Sequence, residues 1–120
     1  MQKLTESMEQ YLDAIRRLGR DGQAVRVSDL ATEMGVSKAS ASNAVKTLQA
    51  EGCVLRTADR KILLTEEGHE EAERLTEASE MIWQFLVDIL GVDEETAAQD
   101  AAALSHIMQP VTVESFVQLL

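Results

Sequence analysis

Apolar residues recur every three or four positions along most of this chain, the period of a helix with one buried face, and a shorter alternation interrupts them near the middle. Between Thr5 and Leu18 the series Met8, Leu12, Ile15 and Leu18 predicts a helix, with Thr5 or Ser7 as its N-cap and Gly19 near its end. Ala24–Val27 reads as a short β-like piece, and Ser28-Asp29 offers a cap for a short helix over Leu30–Met34 that Gly35 stops. Ser37 is placed to cap a further helix running to about Glu51 and ending at Gly52. Cys53–Thr57 and Arg60–Leu64 then read as two strands around a tight Ala58-Asp59 turn. From Thr65 to about Leu90 a long helix carries Leu75, Ala78, Ile82, Phe85, Leu86 and Ile89 on one stripe, and Gly91 closes it. Asp93 caps Glu94–Met108, Pro110 is expected to break the chain, and Thr112 to start a last helix bearing Val113, Phe116, Val117 and Leu120.

Two short helices joined through Gly35-Val36-Ser37 match a helix-turn-helix, and the hairpin after them makes the set a winged helix. The expected fold class is therefore mainly α, with a winged helix-turn-helix domain over residues 1–64 and an all-helical dimerisation domain over 65–120.

Charge sharpens this division. Ten of the eleven lysines and arginines lie in residues 1–61 against eight acids, whereas residues 62–120 hold Arg74 against thirteen acids, so a net charge of -10 hides a mildly basic first part. A polyanion would have to meet that part, because the acidic remainder repels it. The single cysteine excludes an internal disulfide and a multi-cysteine zinc site. No apolar run approaches the roughly 18 residues of a membrane span, and the first residues, Met1 to Glu6, lack a signal-peptide core, so a cytoplasmic protein without membrane contact is expected.

The helix after Ser37 carries the chemistry. Ala41, Ala44, Val45 and Leu48 fall on one side and must be its buried face; the other side presents Ala39, Ser42, Asn43, Lys46 and Thr47, flanked by Lys38 and Ser40. A solvated helix face has similar composition. A major groove, however, admits a helix whose projecting side chains are short, rewards donors and acceptors for base edges, and places lysines against phosphates. The turn before this helix and three cations in the hairpin, Arg56, Arg60 and Lys61, favour DNA. The candidate DNA-binding set is Ser37, Lys38, Ala39, Ser40, Ser42, Asn43, Lys46, Arg56, Arg60 and Lys61. Asn43 is suited to adenine and Ala39 to a thymine methyl.

With these segments in view, "LTESMEQYLDAIRRL", "VRVSDLATEMGVSKASASNAVKTLQAEGCV", "LLTEEG", "QFLVDILGVDEE" and "LSHIM", in order over about residues 4–120, the chain resembles the metal-dependent regulators typified by the diphtheria toxin repressor and the manganese transport regulators. The resemblance implies a homodimer that reads double-stranded DNA at a palindromic operator, with Ala39, Ser42 and Asn43 where the family contacts bases. It also implies that the chain stops before the extra C-terminal domain of longer members. The family's metal ligands fall at Gln10, Asp13, Ser79, Ala102, Ser105 and His106. Manganese and iron(II) want about five or six oxygen and nitrogen ligands with carboxylates among them, and only Asp13 and His106 are strong donors here. A second site used by some members meets Trp83 and Gln99 instead of ligands. The expectation is a degenerate site, with manganese or iron(II) held weakly at most and metal sensing weakened or lost.

Other residues read more plainly. Cys53 is expected to be a small buried hydrophobe, His69 part of a solvated acidic face, and His106 either an inherited ligand or a helix-interior histidine satisfied by a neighbour. Trp83 reads as core or dimer contact. No nucleophile with an adjacent base and no phosphate loop points to an enzyme. The rival to a DNA-binding repressor is a winged-helix module that binds protein.

Overall fold

A computed structural model describes residues 4–119, the side chain of Val117 apart; Leu120, expected on the last apolar stripe, lies outside the described residues. The element order is α1 (Glu6–Leu18), α2 (Val27–Met34), α3 (Lys38–Ala50), β1 (Val54–Arg56), β2 (Ile62–Leu64), α4 (Glu66–Asp88), α5 (Glu94–Ile107) and α6 (Pro110–Leu119). Two compact units, Met1–Ala72 and Glu73–Leu120, divide the chain inside α4.

In the first unit α1, α2 and α3 pack around Leu12, Ile15, Leu30, Val45 and Leu48, all essentially inaccessible, and β1 and β2 pair antiparallel beside them with Val54 opposite Leu64 and Arg56 opposite Ile62. Full burial of a Leu or Ile side chain is worth about 1.5–3 kcal/mol against solvent, so these few residues carry much of the unit's stability. Thr5 is the N-cap of α1, its hydroxyl accepting the Met8 N–H at 3.2 Å. A 3₁₀ turn over Arg20–Gly22 follows, with Asp21 at φ 64°.

The expected β-like piece over Ala24–Val27 reduces to one bridge, in which Val25 and Ile62 exchange backbone hydrogen bonds of 2.8 and 2.7 Å. Its last residue, Val27, instead opens α2. The expected Ser28-Asp29 cap is therefore displaced: Arg26 is the N-cap, in extended backbone and without a side-chain bond, while Ser28 and Asp29 lie inside the first turn. Half-burial of Val27 against the core outweighs the local capping preference. The stop at Gly35 stands, since its φ of 66° is the left-handed conformation that lets its N–H and that of Val36 bond back to Thr32 and Ala31.

The hairpin strands are three residues each, so the connection is Thr57–Lys61 and wider than the two-residue turn expected. Its form follows from Thr57: the hydroxyl bonds the Asp59 carboxylate and accepts the Lys61 N–H at 3.0 Å. Arg60 takes φ 64° beside them.

In the second unit Leu75, Ala78, Ile82, Ala97 and Ala101 are buried, and the Phe85 and Phe116 rings meet edge to face with centroids 4.8 Å apart. Ile89, expected on the buried stripe, is 50% exposed. The Asp93 carboxylate caps α5 by accepting the Thr96 N–H at 2.9 Å, a bond that holds its pKa below the usual carboxylate range. Pro110 does not break the chain; it is the first residue of α6, where its fixed φ suits a helix and its missing N–H would have had no partner.

Candidate nucleic-acid interface

α3 begins where Ser37 caps it. The Ser37 hydroxyl accepts the Ser40 N–H at 3.1 Å and donates to the Ser40 hydroxyl at 3.0 Å, so these two residues fix the start of the helix. Ala41, Ala44, Val45 and Leu48 face inward, as their spacing predicts, while Lys38, Ala39, Asn43, Lys46 and Thr47 are exposed and Ser42 is half-buried.

Beside the first turns of α3 lies an open cleft of about 540 Å³. Lys38, Ala39 and Ser42 line it from α3, Arg56, Arg60 and Lys61 from the hairpin, and Arg26 from the residue before α2. Five cations thus converge from three parts of the fold, with Asp59 the one acid among the lining residues. Asp59 lies 3.6 Å from the Lys61 ammonium; the Thr57 hydroxyl, and then Lys61, keep its carboxyl below its ordinary pKa, so the wing tip retains this pair near neutral pH. Arg56 Nη2 donates to the Ser42 hydroxyl at 3.3 Å, tying the wing to α3. The sequence reading missed Arg26, whose place before α2 was assigned to a strand; its charge beside a helix start was the available signal.

Of the expected metal ligands, Gln10 and Asp13 lie in the first unit and Ser79, Ala102, Ser105 and His106 in the second. On α1 the Asp13 carboxylate accepts hydrogen bonds from Arg16 at 2.9 Å and Arg17 at 3.0 Å, and Arg17 continues to Glu33 of α2 at 2.6 Å. The Glu33 bond, with Asp13 adding to it against partial burial, raises the Arg17 pKa. Gln10 is exposed on the same helix. In the second unit Ala102 is exposed, Ser105 is buried with its hydroxyl donating to the Ala102 carbonyl at 2.8 Å, and His106 is half-buried. A carboxylate engaged by two guanidiniums, a hydroxyl turned onto its own helix and a methyl group do not fit a manganese or iron(II) ion, which needs several free oxygen or nitrogen donors. Among the described residues no group of three or more His, Cys, Asp or Glu is gathered in metal-binding geometry.

Ser79 instead lines a second-unit cleft of about 450 Å³ with Glu80, Trp83 and Ala101, and Trp83 Nε1 donates to the Glu94 carbonyl at 3.1 Å. Cys53 is fully buried, and its thiol pKa is pushed up by burial and then by the carboxylates of Glu71, Glu51 and Glu67. His69 is exposed. No helix among the described residues is long and apolar enough to cross a membrane.

A helix-turn-helix with a wing, a basic cleft at its second helix and a separate acidic helical unit define a winged-helix transcription regulator. Residues 3–61 match the family described as iron dependent repressor, N-terminal DNA binding domain, and residues 65–120 match its metal binding and dimerisation domain. The chain belongs to the iron-dependent repressor family, whose members are transcriptional regulators that bind DNA and dimerise through the second domain. An uncharacterized HTH-type transcriptional regulator of Methanocaldococcus jannaschii is 30% identical over 112 residues, which cover 92% of this chain and 90% of that protein. The HTH-type transcriptional regulator MntR of Bacillus subtilis (strain 168) is 33% identical over 102 residues, 85% of this chain and 71% of its own length. The crystal structure of ScaR with bound Zn2+ superposes with a TM-score of 0.83 at 28% identity, over 93% of this chain and 52% of ScaR.

Proposed function

We propose that this chain is a cytoplasmic, homodimeric repressor that lays two copies of α3 into successive major grooves of a palindromic operator, about 34 Å apart, and does so without a divalent metal. One observation carries the DNA reading: five cations from α3, the wing and the start of α2 surround a cleft in a chain of net charge -10. Charge gathered so locally in an acidic protein is the footprint of a polyanion partner. Within this reading Ala39, Ser42 and Asn43 meet base edges, Lys38, Lys46, Arg60 and Lys61 meet phosphates, and Ser37 and Ser40 hold the start of α3 against the DNA backbone.

The metal-free part rests on the donor set. Several carboxylates crowded at an empty metal site repel one another until the ion arrives, which is how binding the ion can drive a change of shape. Ala102, Ser105 and Ser79 remove that repulsion, and Asp13 is already neutralised by Arg16 and Arg17.

Fluorescence anisotropy with a duplex selected from a random pool tests both parts. Affinity should be the same within about twofold in EDTA and in added manganese, and should fall with salt by a slope of about -0.9 per phosphate contact. Strict dependence on manganese or iron(II) would overturn the metal-free reading; a protein that enriches no duplex overturns the DNA reading.

A further inference from the structure

The wing cations differ in what holds them, and Arg56 stands apart. Lys61 is paired with Asp59, and Arg60 is exposed at the tip. Arg56 is half-buried and, among the described residues, bonds a neutral hydroxyl, Ser42 Oγ, with no carboxylate in ion-pair range. The cause lies in β1. Side chains alternate across a strand, so Arg56 shares the inward face with buried Val54 while Leu55 points out and is 43% exposed. At the end of β1 that inward face meets α3 and not the core, which delivers a guanidinium to the cleft beside Ala39 and Ser42.

Taking the proposed operator binding as its premise, we infer that Arg56 is a specificity-determining residue, held by Ser42 to read a guanine edge in the major groove. Guanine presents two adjacent acceptors, O6 and N7, which a planar guanidinium bonds with two parallel N–H groups. A partly desolvated guanidinium restrained by one hydrogen bond loses less side-chain freedom on binding than an exposed arginine does. Ser42, on this account, acts mainly by positioning Arg56 and only secondarily on a base of its own. Phosphate contact, the usual task of a wing cation, would need no such tether.

Selection from a randomised duplex pool with the full-length protein, followed by affinity measurements on single duplexes, separates these roles. The wild type should enrich a guanine at one position of each half-site, and Arg56→Lys should lower that preference about tenfold or more while leaving the salt slope unchanged, because lysine keeps the charge and loses the fork. Ser42→Ala should weaken the preference at the same position. A duplex with 7-deazaguanine there, which lacks the N7 acceptor, should bind the wild type several-fold more weakly and Arg56→Lys no differently. Enrichment with an unchanged profile in Arg56→Lys, or a uniform loss across sequences, would overturn this role and leave the DNA reading standing. No enrichment by the wild type would instead remove the premise.

Discussion

The two units of this chain treat apolar surface in opposite ways. The first encloses most of its large side chains: Leu12, Ile15, Leu30, Leu48 and Ile62 are all at or near zero exposure, and its exposed large apolar residues, Leu18, Val36 and Leu55, reach only 37–43%. The second buries alanines and few large residues, and leaves Ile89, Leu90, Ile107, Val111 and Leu119 each at least half exposed. Acidic residues far outnumber basic ones in the same unit. The first unit is complete within one chain, whereas the second has the surface of a protein that finishes its core against a copy of itself, in keeping with the dimerisation domain it matches.

The contrast can be broken most severely in the first core. Leu48→Ala should cost about 2–5 kcal/mol, read as a lower urea midpoint, and should abolish DNA binding through unfolding. A mild effect there would mean that α3 is not anchored by its inward face. Next in size, Ile107→Asp combined with Leu119→Asp should raise the dimer dissociation constant more than tenfold in analytical ultracentrifugation, with little effect on monomer stability, because an exposed substitution costs within about 0.5 kcal/mol. An unchanged dimer would put the interface elsewhere. On the basic face, Lys46→Ala should weaken binding to all duplexes alike and reduce the salt slope by about one. A change confined to one base position would make Lys46 a reader and not a phosphate contact.

The smallest effect concerns acid. Asp93 has a depressed pKa because its carboxylate accepts the Thr96 N–H, so its stabilising contribution is present above the ordinary Asp value of about 3.9 and fades as pH falls through the folded value. The difference in Tm between wild type and Asp93→Ala should therefore be constant near neutrality and shrink below about pH 4. A difference that grows in acid would contradict this capping role.

Much of this was legible from residue order. The caps at Thr5, Ser37 and Asp93 were visible because a hydroxyl or carboxylate three residues before a backbone N–H is a local relation. The inward face of α3 followed from period alone. Misplaced starts had local causes too: Pro110 was read as a stop although proline is equally at home in a helix's first turn, and Val27 was claimed by α2 because burial outweighed the cap signal after it. What residue order did not disclose were bonds made by the third dimension, such as Arg56 to Ser42 fourteen positions away and Arg17 to Glu33 across two helices. Those depend on how the hairpin turns and how α1 crosses α2, which no spacing rule encodes.

Arg60 sits in a backbone conformation that glycine adopts freely and an L side chain adopts at a cost of about 1–2 kcal/mol. Glycine at that position would make the isolated protein sturdier and take away one of the five cations that line the basic cleft. Backbone ease and the charge of the cleft are thus opposed at a single residue, and with arginine there the charge prevails.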